Sequence, residues 1–180
     1  MKQNHGTARR MHHDFRHDQQ LNDPYYQVEK PPEPTKCPKC HSVFTGGRWT
    51  WETAPKEAHE ETCPACRRIE DRFPAGYILI KGEFFNEHRE DIINLVKARE
   101  NRQKAERPLQ RIMAMDETRD GFEITTTDSH LARGIAEALY DAYKGDLKVK
   151  YSRDENLVRA VWKRELTKED KASREGKAHK

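Results

Sequence analysis

The sequence predicts an α+β protein: a small cysteine-rich module, then a unit of alternating strands and helices, with polar segments at both ends. Three observations carry this. All four cysteines lie in two Cys-Pro-x-Cys turns, Cys37–Cys40 and Cys63–Cys66. Beyond residue 77, short apolar runs alternate with segments whose apolar residues recur at helical spacing. Residues 1–36 and 165–180 show no sustained apolar periodicity.

Composition narrows the class. The 180 residues are 34% hydrophobic and 36% charged, with a mean hydropathy of −1.14. That is too polar for packed core throughout, so part of the chain is expected to be disordered. No apolar run approaches the ~20 residues that span a bilayer. The net charge of +3 is only a mild pointer to nucleic acid, because acids are almost as numerous as bases. Reduced cysteines without a secretory signal predict the cytoplasm.

Residues 1–36 read as a disordered arm. They carry His5, His12, His13 and His17, the pair Tyr25-Tyr26, and the proline run Pro31-Pro32-Glu33-Pro34, a stiff spacer into the cysteine module. The sharper alternative is a metal-binding or RNA-threading arm.

Residues 37–76 read as a zinc ribbon. A tetrahedral zinc takes four soft or borderline donors, and two Cys-x-x-Cys pairs supply them as Cys37, Cys40, Cys63 and Cys66. The 22 residues of segment 41–62 make a slightly long loop for such a site. Pro38 and Pro64 preset the turns. Four thiolates close the coordination shell, so the single zinc is structural rather than catalytic. A redox dithiol lacks its βαβ context. Disulfides lack an oxidising destination. His59 and Glu61 sit too close to Cys63 for a zinc-deaminase signature. His41 and His59 are read as surface residues. Val43-Phe44 and Arg48–Trp51 pair as strands around Gly46-Gly47. Trp49 and Trp51, two apart, share a strand face; they either cover the metal site or offer a stacking surface to bases. Arg67, Arg68 and Arg72 follow the second knuckle, placed for phosphate contact or for pairing with Glu70 and Asp71.

Residues 77–164 read as the second unit. Tyr77–Lys81 is a central strand ended by Gly82. Asn86 is the expected cap of a helix with inward Phe85, Ile92 and Val96, stopped by Pro108. Arg111–Met115 and Phe122–Thr127 are strands joined through Asp120-Gly121. Asp128 or Ser129 caps a second helix with inward Leu131, Ile135, Leu139 and Ala142, ended by Gly145; Gly134 marks close packing within it. Leu147–Tyr151 and Leu157–Lys163 form a hairpin around Arg153–Asn156. If Tyr151 faces Val158, then Val149 faces Ala160 and Leu147 faces Trp162, so every inward pair is apolar. The same register sets Lys150 opposite Arg159, with Lys148 and Lys163 nearby and no acid expected on that face. A polyanion would relieve the like-charge contact. The order βαββαβ plus one strand is the split-βαβ, ferredoxin-like arrangement, whose uncovered face is a common place to bind RNA. The aromatic pattern of an RRM is absent. Residues 165–180 read as a charged tail.

The two knuckles, the strand–helix unit after them, Asp120-Gly121-Phe122-Glu123-Ile124 and the helix-opening Ser129-His130-Leu131-Ala132-Arg133 together carry a family resemblance. Residues 37–164 resemble the N-terminal part of the archaeal and eukaryotic adaptor, named for nonsense-mediated decay, that exports the large ribosomal subunit. They are also similar to a bacterial group of zinc-ribbon proteins with the same plan. The resemblance implies binding to the large ribosomal subunit or its RNA. It implies no export role, since the adaptor's further cysteine pairs, downstream domain and export tail have no counterpart in this sequence.

The expectation is a non-catalytic, zinc-stabilised protein that binds ribosomal RNA, as a stress, hibernation or assembly factor. Arg67, Arg68, Arg72, Lys148, Lys150, Arg159, Lys163, Trp49 and Trp51 are the candidate RNA contacts. The rival is a protein–protein adaptor or transcription-associated zinc ribbon. An enzyme is disfavoured, for the sequence holds no Walker loop, nucleophile elbow or open metal site, and no small-molecule substrate is expected.

Overall fold

Two sheets organise the chain, one of very short strands around the cysteines and one of five longer strands under two helices. The computed structural model describes residues 23–27, 29–152 and 156–170.

The first sheet contains β1 (Thr35–Lys36), β2 (Val43–Thr45), β3 (Arg48–Thr50) and β4 (His59–Glu60), in the order β3-β2-β1-β4. The β2–β3 hairpin pairs Phe44 with Trp49 around Gly46-Gly47. Both glycines have positive φ, 58° and 74°, which a two-residue hairpin of this hand requires. The Glu33 carboxylate accepts both of their N–H groups, at 2.7 and 2.8 Å. The ribbon therefore begins before Cys37. Residues 23–36, expected to belong to a disordered arm, contribute strand β1, the Glu33 cap and a fully buried Thr35. The earlier histidines lie outside the described residues.

Helix α1 (Pro64–Asp71) leads out of the ribbon. The larger sheet runs β6-β7-β5-β9-β8: β5 (Gly76–Lys81), β6 (Ile112–Thr118), β7 (Gly121–Thr126), β8 (Asp146–Ser152) and β9 (Leu157–Lys163). Antiparallel β7 separates β5 from β6, giving the split βαβ. The extra strand is not appended at the edge: β9 enters beside β5, parallel to it, and leaves β8 outermost. The side chains explain this. Leu157, Val158, Ala160 and Trp162 of β9 are buried, whereas β8 alternates with exposed Lys148 and Lys150, and lysines suit an edge by discouraging further pairing.

The helix after β5 comes in two pieces, α2 (Glu83–Glu87) and α3 (Arg89–Glu106). Asn86 does not cap it. Asn86 sits within α2, and His88 starts α3 with no side-chain cap. Helix α4 (Ser129–Tyr143) is capped by Asp128, whose carboxylate accepts from the Leu131 N–H at 2.9 Å. Leu131, Ala132, Ile135, Ala136 and Leu139 press onto β5 and β9, with Ile92 and Val96 of α3 alongside. Gly134 admits Arg99 of α3: a Cβ there would lie 3.2 Å from the guanidinium. Gly76 is tighter, since its Cβ would meet Ala132 Cβ at 2.3 Å and Thr126 Oγ1 at 2.6 Å. Gly76→Ala is expected to cost about 1–3 kcal/mol by overpacking, read as a lower urea midpoint at unchanged slope. The described end of the chain also joins this unit, with Leu166 against the core and Arg164 paired to Asp170 at 3.1 Å.

Candidate metal centre and basic sheet face

Two different local structures deliver the four sulfurs. The first pair sits in a knuckle: Cys37 N–H donates to Ser42 O at 2.8 Å, and His41 N–H to Cys37 O at 2.9 Å, with His41 itself left-handed at φ 64°. The second pair opens a helix rather than forming a separate turn. Cys63 is the N-cap of α1, Pro64 stands in its first turn, and the Cys66 N–H donates to Cys63 Sγ at 3.4 Å. A helix N-terminus favours thiolate. A further N–H···S bond runs from Cys63 N to Cys37 Sγ at 3.4 Å.

The four Sγ atoms lie within 4.8 Å of one another and none is in a disulfide. Cys40 and Cys63 sulfurs are 3.7 Å apart. Tetrahedral Zn–S bonds of ~2.3 Å put neighbouring sulfurs about 3.8 Å apart, so the spacing suits one shared ion. Cys37 and Cys63 are fully buried, Cys66 nearly so. His41 and His59 are exposed and outside the cluster. The arrangement fits a closed structural metal site, in which four thiolates leave no position for a reacting ligand.

Electrostatics within the cluster are coupled. The hydrogen bond with Cys63 pulls the Cys40 thiol down to about 3, helped by Ser42 and Arg111. The same bond, and then burial, push Cys63 up. Burial also raises Cys66, against the pull of Arg111.

Arg111 was not singled out by sequence reasoning. Only 7% exposed, it comes from the start of the larger sheet unit and donates from Nη2 to Cys40 Sγ at 3.0 Å and Cys63 Sγ at 3.7 Å, and from Nη1 to Cys66 Sγ at 3.3 Å. Burial opposes its charge, but the bonds to Cys40 and Cys66 outweigh that and raise its pKa. The available signal was a lone cation between Leu109 and Ile112 at the head of a strand.

The predicted RNA contacts separate into groups. Trp49 is core, edge-on to Phe44 at 5.7 Å, and cannot stack on a base. Trp51 lies past the end of β3, exposed, and does not share Trp49's role: its Nε1–H donates to Lys104 O at 2.6 Å, with Arg111 over its ring. Arg68 is buried against the Asp23 carboxylate, the Phe73 carbonyl and the Tyr25 ring, so it is structural. Arg67 pairs with Glu61 at 2.5 Å. The expected partners of these arginines are occupied elsewhere, Glu70 with Lys39 and Asp71 with the Tyr25 hydroxyl. Arg72, in the left-handed C-cap of α1, is exposed.

On the larger sheet, Lys150 stands opposite Arg159 and the three inward pairs Leu147–Trp162, Val149–Ala160 and Tyr151–Val158 form as read from the sequence. Residues Arg153–Glu155 of that turn lie outside the described residues. The expectation that no acid shares the outer face fails. Asp146 is opposite Lys163, which also pairs with Glu165 at 3.0 Å, and Glu123 and Asp116 occupy the same face on β7 and β6. Asp146 follows from the same hairpin register as the Lys150–Arg159 pair, whereas Asp116 and Glu123 become neighbours only through the strand order. The face is therefore uneven: Lys148, Lys150 and Arg159 on β8–β9 with Asp146 at their end, and Asp116 and Glu123 on β6–β7. Tyr77 of central β5 lies between them, with Arg159 over its ring at 5.4 Å. No helix of the described residues is long and apolar enough to cross a membrane. No protein-family model, curated protein or solved structure matches this chain.

Proposed function

We propose that this is a non-catalytic, zinc-stabilised RNA-binding protein whose partner is ribosomal RNA, with the β8–β9 side of the larger sheet as the contact. The observation that carries the reading is the exposed Lys150–Arg159 cross-strand pair on the face that α3 and α4 leave uncovered, with exposed Lys148 one pleat away. A phosphate above this pair would meet two cations at once. Tyr77 beneath Arg159 supplies a ring on which a base can stack. The acidic β6–β7 side would confine the strand to one half of the sheet. Arg72 and the tails are secondary contacts. The large subunit, rather than RNA in general, is favoured by the family resemblance of residues 37–164. An all-thiolate set of four sulfurs within 4.8 Å of one another supports zinc, which closed four-cysteine structural sites hold. Four cysteines outside any disulfide support a cytoplasmic setting.

A charge-reversal pair, Lys150→Glu with Arg159→Glu, is expected to weaken binding to ribosomal RNA by an order of magnitude or so and to flatten the slope of log K against log salt by about 1.5. Cosedimentation with ribosomes across a salt series reads the same effect. An unchanged slope acquits this face, and a protein that stays at the top of the gradient even at low salt removes the ribosome as partner. The second reading, a protein–protein adaptor without RNA binding, is favoured by the exposed Ile69 and Phe73 near the end of α1; it predicts no binding to ribosomal RNA even at low salt, from the wild type or the charge-reversal pair.

A further inference from the structure

We infer that Arg111 is an outer-shell partner of the metal that links metal loading to docking of the ribbon on the sheet. The inference rests on the metal reading above but not on RNA binding.

The guanidinium is a built partner, not a passing contact. Its Nε–H donates to Pro108 O at 2.6 Å, which orients the planar fork, and its two terminal nitrogens are spent on three of the four sulfurs. Its backbone is clamped to the end of β7: Arg111 N–H donates to Thr127 Oγ1 at 2.9 Å, and Thr127 N–H to Arg111 O at 2.9 Å. Arg111 thus belongs to the sheet unit while its charge sits in the ribbon. Four thiolates on a divalent ion carry two net negative charges in a buried place, and one buried guanidinium halves that excess. Leu109 packs on the cysteine cluster from the same segment, and Trp51 returns the contact from the ribbon by donating to Lys104 O on α3. Coupling between two such events is reciprocal: if the metal-loaded cluster holds Arg111, docking must also hold the metal.

The test uses the full chain, ¹⁵N-labelled and loaded with zinc. The indole N–H resonance of Trp51 reports docking; that of Trp162, which donates to Lys144 O within the sheet unit at 2.7 Å, reports the sheet. Chelation should move the Trp51 signal to a solvent-exposed position and leave Trp162 in place. Arg111→Met should release zinc to a chromophoric chelator about ten- to a hundredfold faster, with Arg111→Lys intermediate. Should Arg111→Met fail to fold, Trp51→Leu decides: it leaves the sulfurs untouched, and reciprocity requires faster zinc release from it too. Zinc release at the wild-type rate from the Arg111 variants, or a Trp51 signal unmoved by chelation, overturns the inference. A wild-type chain that binds no zinc at all fails the metal reading instead, so the two failures are distinct.

Discussion

Stripping the metal, or replacing Cys63 with serine, is expected to unfold residues 35–63 while the five-stranded unit stays folded. The ribbon has little else to hold it. Its strands are two or three residues long, far short of what an isolated sheet needs. Besides the cysteines, its buried apolar cluster holds Phe44, Trp49 and Ala65. Structural zinc in peptides of this kind contributes about 10–16 kcal/mol of apparent binding free energy, more than the whole stability of an ordinary domain. Cys63 is the cleanest choice: its sulfur also caps α1 by accepting the Cys66 N–H, a role serine keeps, so the change removes chiefly the metal bond. Hydrogen exchange should show residues 35–63 losing protection on chelation, with β5, β7 and β9 keeping theirs. A metal-free ribbon that remains protected would refute the claim that the ion organises it. Elemental analysis should return one zinc per folded chain.

Trp162→Ala is expected to destabilise the larger unit by about 4 kcal/mol, and by more if the site cannot collapse. Trp162 is fully buried where β9, α2 and the end of α4 meet, edge-on to Phe84 at 6.4 Å and tilted against Tyr143 at 6.3 Å. Its indole also donates to the carbonyl of Lys144, the left-handed residue ending α4, and losing that bond adds about 0.5–1.5 kcal/mol. With a urea slope of about 1–3 kcal/mol per molar, the midpoint should fall by roughly 2 M. Trp162→Phe separates the terms, restoring most of the volume but not the hydrogen bond. Equal midpoints for the alanine and phenylalanine variants would show that packing at this position contributes little.

Where a local pattern decides the outcome, the residues were sufficient. Two Cys-Pro-x-Cys pairs identify the four sulfurs that cluster, because each pair needs only one turn of chain to present its sulfurs. Gly46-Gly47, Asp128 and the alternation along 147–151 and 157–163 place a hairpin turn, a helix cap and a strand register, since turn geometry, capping and the two-residue pleat are all short-range. Those features are present in the structure at the residues that signal them.

Tertiary structure decided the rest, because charges find partners that are distant in sequence. Arg68 reads as an exposed knuckle arginine until Asp23, forty-five positions earlier, returns to neutralise it. The outer face acquires Asp116 and Glu123 once β6 and β7 take their places beside β5. Strand β9 takes an inner position because its apolar residues gain more from burial than those of lysine-bearing β8. Arg111 has no motif at all. Only folding brings it to the three sulfurs, since an ion's outer shell is set by which surface the ribbon lands on, not by spacing along the chain.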